Sequence, residues 1–401
     1  MTSLGNAFVE LKYRPLRADH PLALLEDACL PLRAPRYATC RACESVCPVN
    51  AIRVGETAIA LAENCVRCGR CVAACPMGAL AHPGFSVPDA PREKVRPLSV
   101  DCWKVPGKLS PEGVVRVPCL GGLSPSRMIK LAAVAGSGSL ELLDRGWCTR
   151  CSAGGGEEHP AGASLAKARS LLAALGVGPD RLPTLRADHL PADLMPGAIP
   201  APVTETKLGR RGFFSMLTAK TAVAVDKVMP VAPSELRRRR GFEKTPLPSL
   251  ERERLLLGTA LLGKATGATL PRTLFHRVEV SAACNNHQLC ASICPTGALA
   301  VFEQGQRTEL MFDTRLCIGC NECQSVCPSK ALRVLPEGYN APGDVLPDHP
   351  IRLTSFGEKS CPECGQAYTE QGGEDLCPQC QKRRQLASSA FESLFGSGHQ
   401  D

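Results

Sequence analysis

Aromatic side chains are scarce: 401 residues hold only eleven Phe, four Tyr and two Trp, so the usual large core-fillers cannot organise several interiors alone. Long apolar runs are missing as well. The longest, Leu255 to Gly263, is about half of the roughly 20 residues a membrane span requires, so no integral membrane segment is expected. The start, MTSLGNAFVELKYRPLRADH, has no apolar stretch behind a basic one, so no secretory signal is expected. No dinucleotide G-x-G-x-x-G is present. Gly258-x4-Gly263-Lys264 imitates a phosphate loop, but Ala265 stands where Ser or Thr should bind magnesium, and no strand precedes it. No C-x3-C-x2-C run for a radical-generating cluster occurs either, because Asn50, Gly78, Gly297 and Lys330 occupy the third positions after the relevant cysteines.

What the chain has is cysteine, 23 of them, nearly all in short regular clusters. Disulfide frameworks belong to oxidising compartments, and without a secretory signal these thiols read as cytoplasmic metal ligands. The net charge of +8 suits docking on an acidic protein and is mild for a nucleic-acid binder, so nucleic acid is not an expected partner. The run Arg237 to Arg240 reads as a solvated linker. Arg210-Arg211-Gly-Phe213-Phe214 resembles a twin-arginine signal, but its mid-chain place makes it the start of an amphipathic helix. Pro- and Gly-rich stretches at 82–97, 178–206 and 336–350 read as linkers, and a helical stretch covers roughly 207–229 and 247–265.

The strongest organising signal is a repeat: Cys65, Cys68, Cys71 and Cys75 recur as Cys317, Cys320, Cys323 and Cys327. Each copy reads C-x2-C-x2-C-x3-C-P, a spacing that wraps three thiolates round one face of an iron–sulfur cubane and sends the fourth toward a neighbouring cluster. Companion cysteines lie upstream: Cys40, Cys43 and Cys47-Pro48 in the first copy, Cys284, Cys290 and Cys294-Pro295 in the second. Over about 34–84 and 281–337 the chain resembles bacterial-type ferredoxins with two [4Fe–4S] clusters. The resemblance implies one complete cluster per module, Cys65, Cys68 and Cys71 with Cys47, and Cys317, Cys320 and Cys323 with Cys294. It also implies up to four clusters in all, and the remaining two sites are irregular. Tyr37 stands where the family's first cysteine belongs, leaving Cys40, Cys43 and Cys75 either to be completed by Cys29 or to hold a three-iron cluster. In the second module His287, between Cys284 and Cys290 and with Cys327 as cross-ligand, is either a neutral ligand or a loop residue beside a degenerate site.

Between the first two linkers the pattern is α/β: strands LSVDC and VVRVPCL, helix SPSRMIKLAAVA, strand SLELLD, then the loop Gly146 to Cys151 and helix SLAKARSLLAALGV. Cys102, Cys119, Cys148 and Cys151 fall at or after strand ends, where ligands of open α/β sheets gather, and this convergence predicts one metal site. As alternatives, Cys102 and Cys119 are core thiols and Cys148/Cys151 a redox pair. The segment 98–187 is similar to the delta subunit of methyl-viologen-reducing hydrogenases through Val117-Pro118-Cys119-x-Gly, Gly-Trp-Cys-x-x-Cys and Leu-Gly-Val-x-x-Asp-Arg-Leu. That resemblance implies a [2Fe–2S] centre passing electrons to a heterodisulfide reductase. Near the C-terminus Cys361-x2-Cys364 and Cys377-x2-Cys380 form two knuckles that structural Zn would close, with a rubredoxin-like Fe as rival.

The expected fold is α+β multidomain. It comprises an N-terminal segment (1–33), ferredoxin module 1 (34–84), a central α/β domain (98–190), a helical linker (207–280), ferredoxin module 2 (281–337), a zinc-ribbon-like module (358–382) and a tail (383–401). The expected function is cytoplasmic electron transfer in partnership with a larger oxidoreductase such as a formate dehydrogenase, hydrogenase or heterodisulfide-reductase-like complex. The alternatives are an iron–sulfur enzyme binding substrate at an incompletely ligated cluster, or a redox or iron sensor.

Overall fold

The computed structural model describes residues 13–35, 39–82, 97–197, 246–369 and 375–395, apart from single positions at 155, 157, 340 and 342, and with 84, 85 and 87 besides. The stretch 207–229, the twin-arginine look-alike, Arg237 to Arg240 and Tyr37 lie outside the described residues. The chain divides into two compact units, one holding the described residues through 274 and the other those from 275 onward. Mixed helices and sheets make this an α+β multidomain chain, as expected.

The first unit begins with strands β1 (Arg14–Pro15) and β2 (Ala23–Leu24), then short helices α1 (Leu30–Arg33) and α2 (Ala42–Ser45). A hairpin of β3 (Ile52–Val54) and β4 (Ile59–Leu61), helix α3 (Arg70–Ala74) and strand β5 (Leu80–Ala81) follow. Leu24 pairs antiparallel with Leu80, and Ala23 with Ala81, which binds the N-terminal segment to the end of the first cysteine repeat. Leu22, Leu24, Ile52 and Met77 are all buried there.

Farther along, β6 (Leu98–Cys102), β7 (Val115–Val117), β8 (Leu140–Asp144) and β9 (Thr184–Ala187) form a parallel sheet in the order β7-β6-β8-β9, with helices α4 (Pro125–Ala135) and α5 (Gly162–Ala174) between strands. Leu98 and Val100 of β6 and Leu140 and Leu142 of β8 are buried and alternate with the half-buried Ser99 and Glu141, the two-residue period of a strand. The stretch 178–206, read as a linker, carries β9. Its Pro-rich flanks hid four residues that need only one partner strand, β8, to pair at the sheet edge.

Helix α6 (Leu250–Thr266) packs on α4. Its N-cap, Ser249, accepts from Arg252 N at 3.0 Å, and its hydroxyl donates to the Pro76 carbonyl at 2.6 Å, which ties the helix to a turn of the first repeat. The phosphate-loop imitation Gly258 to Lys264 lies inside this helix, where a Cβ on Gly258 would stand 3.1 Å from Ile129 of α4. That glycine serves helix packing.

The second unit contains β10 (Arg277–Val280), α7 (Leu289–Ile293), β11 (Leu299–Gln304), β12 (Arg307–Phe312), α8 (Glu322–Ser325), β13 (Leu332–Leu335), β14 (Ile351–Ser360), β15 (Ala367–Thr369) and α9 (Pro378–Phe395). Strands β10 and β13 pair antiparallel, as β2 and β5 do in the first unit. The antiparallel sheet β11-β12-β14-β15 extends the hairpin of the second repeat into the C-terminal knuckles. Val278, Leu299, Leu310, Phe312 and Leu332 form the core, against which Cys290, Cys294, Cys317 and Cys327 pack. Helix α9 runs through much of the segment read as a tail, in keeping with the helix-forming Gln, Lys, Arg, Leu and Ala that follow Cys380.

Candidate metal centres

Backbone conformation explains why the cysteine spacing recurs. In Cys65 to Cys71, Arg67 and Gly69 on either side of Cys68 have φ of +57° and +73°; around Cys320, Gly319 and Asn321 have +67° and +61°. This left-handed, right-handed alternation, which costs least at Gly and Asn, coils three thiols toward one point. Each Cys-Pro turn of the two repeats likewise carries a positive φ three residues after its cysteine, at Asn50, Gly78, Gly297 and Lys330. These turns aim backbone donors at sulfur: Ala51 N donates to Cys47 Sγ at 3.1 Å, Ala79 N to Cys75 Sγ at 3.2 Å and Leu299 N to Cys294 Sγ at 3.4 Å.

Among the described residues, cysteine quartets line four cavities. Cys47, Cys65, Cys68 and Cys71 surround one of about 320 Å³, and Cys294, Cys317, Cys320 and Cys323 one of about 350 Å³. Both quartets are those the ferredoxin resemblance implies. Cys29, Cys40, Cys43 and Cys75 line a third, of about 400 Å³. The fourth, about 460 Å³, joins Cys102, Cys119, Cys148 and Cys151, gathered from the carboxyl ends of β6, β7 and β8 where the sheet order reverses.

Burial, the largest cause, pushes these thiols up: Cys68 and Cys102 to about 11, Cys43, Cys148 and Cys320 to about 12, with Cys71 and Cys119 also well above their usual value. Neighbouring thiolates add to the rise in each case. Four such groups become thiolates together only against positive charge, which a bound metal would supply. Cys327 differs. Burial raises it, but the Ser329 hydroxyl and the backbone N–H groups of Ala331, Leu332 and Ser329 outweigh that and bring the thiol down.

Two cationic side chains reach the central quartet. Lys104, 3% exposed, and Arg145 line the cavity, and Lys104 N donates to Cys102 Sγ at 3.3 Å. Arg145 is held from behind by the fully buried Asp101 (Nη2 to Oδ2, 2.8 Å) and by Asp188 (2.9 Å). The sequence reading missed His159. Its Nδ1 accepts from Ala161 N at 3.2 Å, its Nε2 lies 3.5 Å from Cys148 Sγ, and with Asp144 and Cys148 it forms a further group able to hold a metal ion. Only its place between a Gly-rich stretch and a helix start could have pointed to it.

The central site also touches the first repeat. Cys68, Cys119 and Ala153 pack together with Val66 and Cys151, and Arg70 of α3 donates to the Gly154 and Ala153 carbonyls at 2.9 and 3.3 Å. Gly122 makes this approach possible, since a Cβ there would stand 2.6 Å from the Cys68 carbonyl oxygen.

In the second unit burial pushes Cys290 up to about 11, with the charges of Cys284 and Cys327 adding to the rise, and Cys290 and Cys327 both pack against the core of that unit. His287 is exposed, yet the residues flanking it, Asn286 and Gln288, have φ of +56° and +61°, the alternation found around Cys68 and Cys320. His287 therefore occupies the position of a second cysteine on a cluster-wrapping backbone. Asn286 Nδ2 ties this loop to β15 through Thr369 Oγ1 at 2.9 Å. At the knuckles, Cys361, Cys364, Cys377 and Cys380 bring all four sulfurs within 4.8 Å of one another, a group that could hold one metal ion. Cys377 N, donating to Cys361 Sγ at 3.4 Å, draws that thiol below its usual value.

The family model of the 4Fe–4S dicluster domain matches residues 38–79 and 283–331. No curated protein matches the chain. The two repeats are thus tandem ferredoxin modules of the 4Fe–4S dicluster type, a class of domain that serves iron–sulfur electron transfer. No helix among the described residues is long and apolar enough to cross a membrane.

Proposed function

We propose that this chain is a cytoplasmic iron–sulfur electron-transfer protein serving a larger oxidoreductase of the formate dehydrogenase, hydrogenase or heterodisulfide-reductase-like kind. Bound [4Fe–4S] and [2Fe–2S] clusters would supply one-electron carriers. The chain's own residues hold those groups and tune them. Cys47, Cys65, Cys68 and Cys71 hold one cubane, and Cys294, Cys317, Cys320 and Cys323 another. Cys40, Cys43 and Cys75 belong to a third site. Cys284, His287, Cys290 and Cys327 form a fourth, with the imidazole as a neutral donor. Cys102, Cys119, Cys148 and Cys151 hold the two-iron centre, in keeping with the resemblance to hydrogenase delta subunits. Backbone N–H donors on Cys47, Cys75, Cys102 and Cys294, with Lys104 and Arg145 at the central cavity, stabilise added negative charge and so raise the corresponding potentials. Cys361, Cys364, Cys377 and Cys380 hold structural Zn, a role suited to a small ribbon lacking a core of its own.

The observation that carries this reading is the packing of Cys68 on Cys119, which puts a complete ferredoxin quartet and the central quartet on two sides of one wall. A thiol-disulfide domain would have no need of such an approach. The test is the Fe, acid-labile sulfide and Zn content of anaerobically purified protein, with EPR before and after reduction. About 18 Fe and about one Zn per chain are expected. About 8 Fe, with no two-iron signal on reduction, would refute the central centre and both irregular sites.

A further inference from the structure

The first ferredoxin module has a complete quartet and an incomplete one. Where the family's leading cysteine belongs, this sequence has Tyr37, and the dicluster match begins only at residue 38. The backbone near Cys40 also departs from the regular pattern. Arg41, which follows Cys40 as Gly69 follows Cys68, has φ of −130° rather than a positive value. A fourth ligand must therefore come from elsewhere, or the site holds one iron fewer.

The structure brings Cys29 to this site from outside the module. Its thiol lines the same cavity as Cys40, Cys43 and Cys75, whose remaining walls are apolar, among them Leu24, Leu30, Ile59, Met77 and Leu80. Among the described residues that line it there is no carboxylate or imidazole, and the four sulfurs are the strong donors these residues offer a metal. The backbone of Cys29 is fixed on both sides. Its N–H donates to Glu26 O at 3.0 Å, and its carbonyl accepts from Arg33 N at 2.9 Å as α1 begins. The segment before it is tied to the module by Leu25 N donating to Ala79 O at 2.8 Å and by the pairing of Leu24 with Leu80. The same Ala79 donates its own N–H to Cys75 Sγ. The short stretch 79–81, Ala79 with β5, therefore positions the cross-ligand of the site and, through β2, Cys29.

We infer that Cys29 is the fourth thiolate of this site, completing with Cys40, Cys43 and Cys75 a four-iron cluster ligated from outside the ferredoxin motif. The inference rests on the iron–sulfur reading above. In binding, each thiol loses its proton and takes one iron. Without Cys29 the corner iron keeps no protein thiolate, and oxidation removes it. A [4Fe–4S]²⁺ cluster then releases Fe²⁺, passes one electron to the oxidant and remains as [3Fe–4S]⁺.

The test compares wild type with Cys29→Ser and Cys40→Ser, purified anaerobically and treated with ferricyanide as the oxidant. Fe and sulfide analysis and low-temperature EPR provide the readout. Anaerobic wild type should lack the three-iron signal. Both variants should lose about one Fe per chain on mild oxidation and develop that signal, while the reduced four-iron signal of the Cys47, Cys65, Cys68 and Cys71 site persists and shows the module to be folded. A Cys29→Ser protein with the iron content and spectra of wild type would overturn the inference, as would a three-iron signal in anaerobic wild type. Absence of acid-labile sulfide from wild type would instead refute the iron–sulfur reading itself. If Cys29→Ser loses every cluster, Cys29→Ala and Cys29→His decide: a ligand role predicts the three-iron signal in Ala and a four-iron site in His, and any other pattern overturns it.

Discussion

His82 links stability to acidity in a way that can be calculated. It is 3% exposed, stands edge-on to Trp103 with ring centroids 5.3 Å apart, and is brought down from 6.5 to about 4, by burial first and then by the charge of His20. Between those two values the unfolded chain takes up a proton that the folded chain refuses. The contribution of His82 is therefore complete above 6.5, falls as the pH drops, and is lost once the pH passes below about 4. The gap corresponds to about 3 kcal/mol in all and about 2 kcal/mol by roughly pH 5, the latter a shift of about 30-fold in the unfolding equilibrium. Replacing His82 by Phe keeps a ring against Trp103 and removes the titration. Urea unfolding followed by tryptophan fluorescence, under anaerobic conditions at pH 7 and near pH 5, should show wild type losing about 2 kcal/mol more than His82→Phe. Acid lability of the clusters is common to both proteins and cancels in the comparison. Equal losses in the two proteins would refute the assignment of a buried, neutral imidazole.

The ion pair beneath the central cavity is nearly solvent-free, with Asp101 fully buried and the Arg145 side chain 6% exposed. Asp101→Asn should cost roughly 3–5 kcal/mol by leaving the guanidinium short of its partner, while Asp101→Asn with Arg145→Met should cost less. A double-mutant cycle by chemical denaturation checks this, and simple additivity would contradict it. His287→Cys exchanges a neutral donor for an anionic one and should lower the potential of the second module's irregular cluster, read by redox-titrated EPR. An unchanged potential would place His287 outside the ligand set.

How much could be read before folding differs between ligands. Three thiols of each complete cluster lie within seven residues of chain, so spacing alone identifies them, and the Gly and Asn beside Cys68 and Cys320 mark the left-handed turns that coil them together. The parallel strands were legible because Leu98 and Val100, and Leu140 and Leu142, alternate with Ser99 and Glu141 at the two-residue period of a strand. Strand β9 was not, because Pro and Gly surround it and only its pairing with β8 makes it a strand. Cys29 could be named as a candidate but not placed, since its position depends on Leu24 meeting Leu80 across the whole first repeat. His159 had no motif at all; its approach to Cys148 is produced by the return of the chain before α5.

The close approach at Gly122 has a kinetic consequence. On the proposed function, exchange of an electron between carriers held on either side of the Cys68–Cys119 wall would be a first-order event within one folded unit. Dilution would not slow it, and salt would affect it little, because screening acts on exposed charges rather than on buried ones. Delivery from a separate donor is second order and does respond to both, through the net charge of +8. A plot of rate against protein concentration would therefore level off where docking stops being limiting, and the plateau would report the internal step alone.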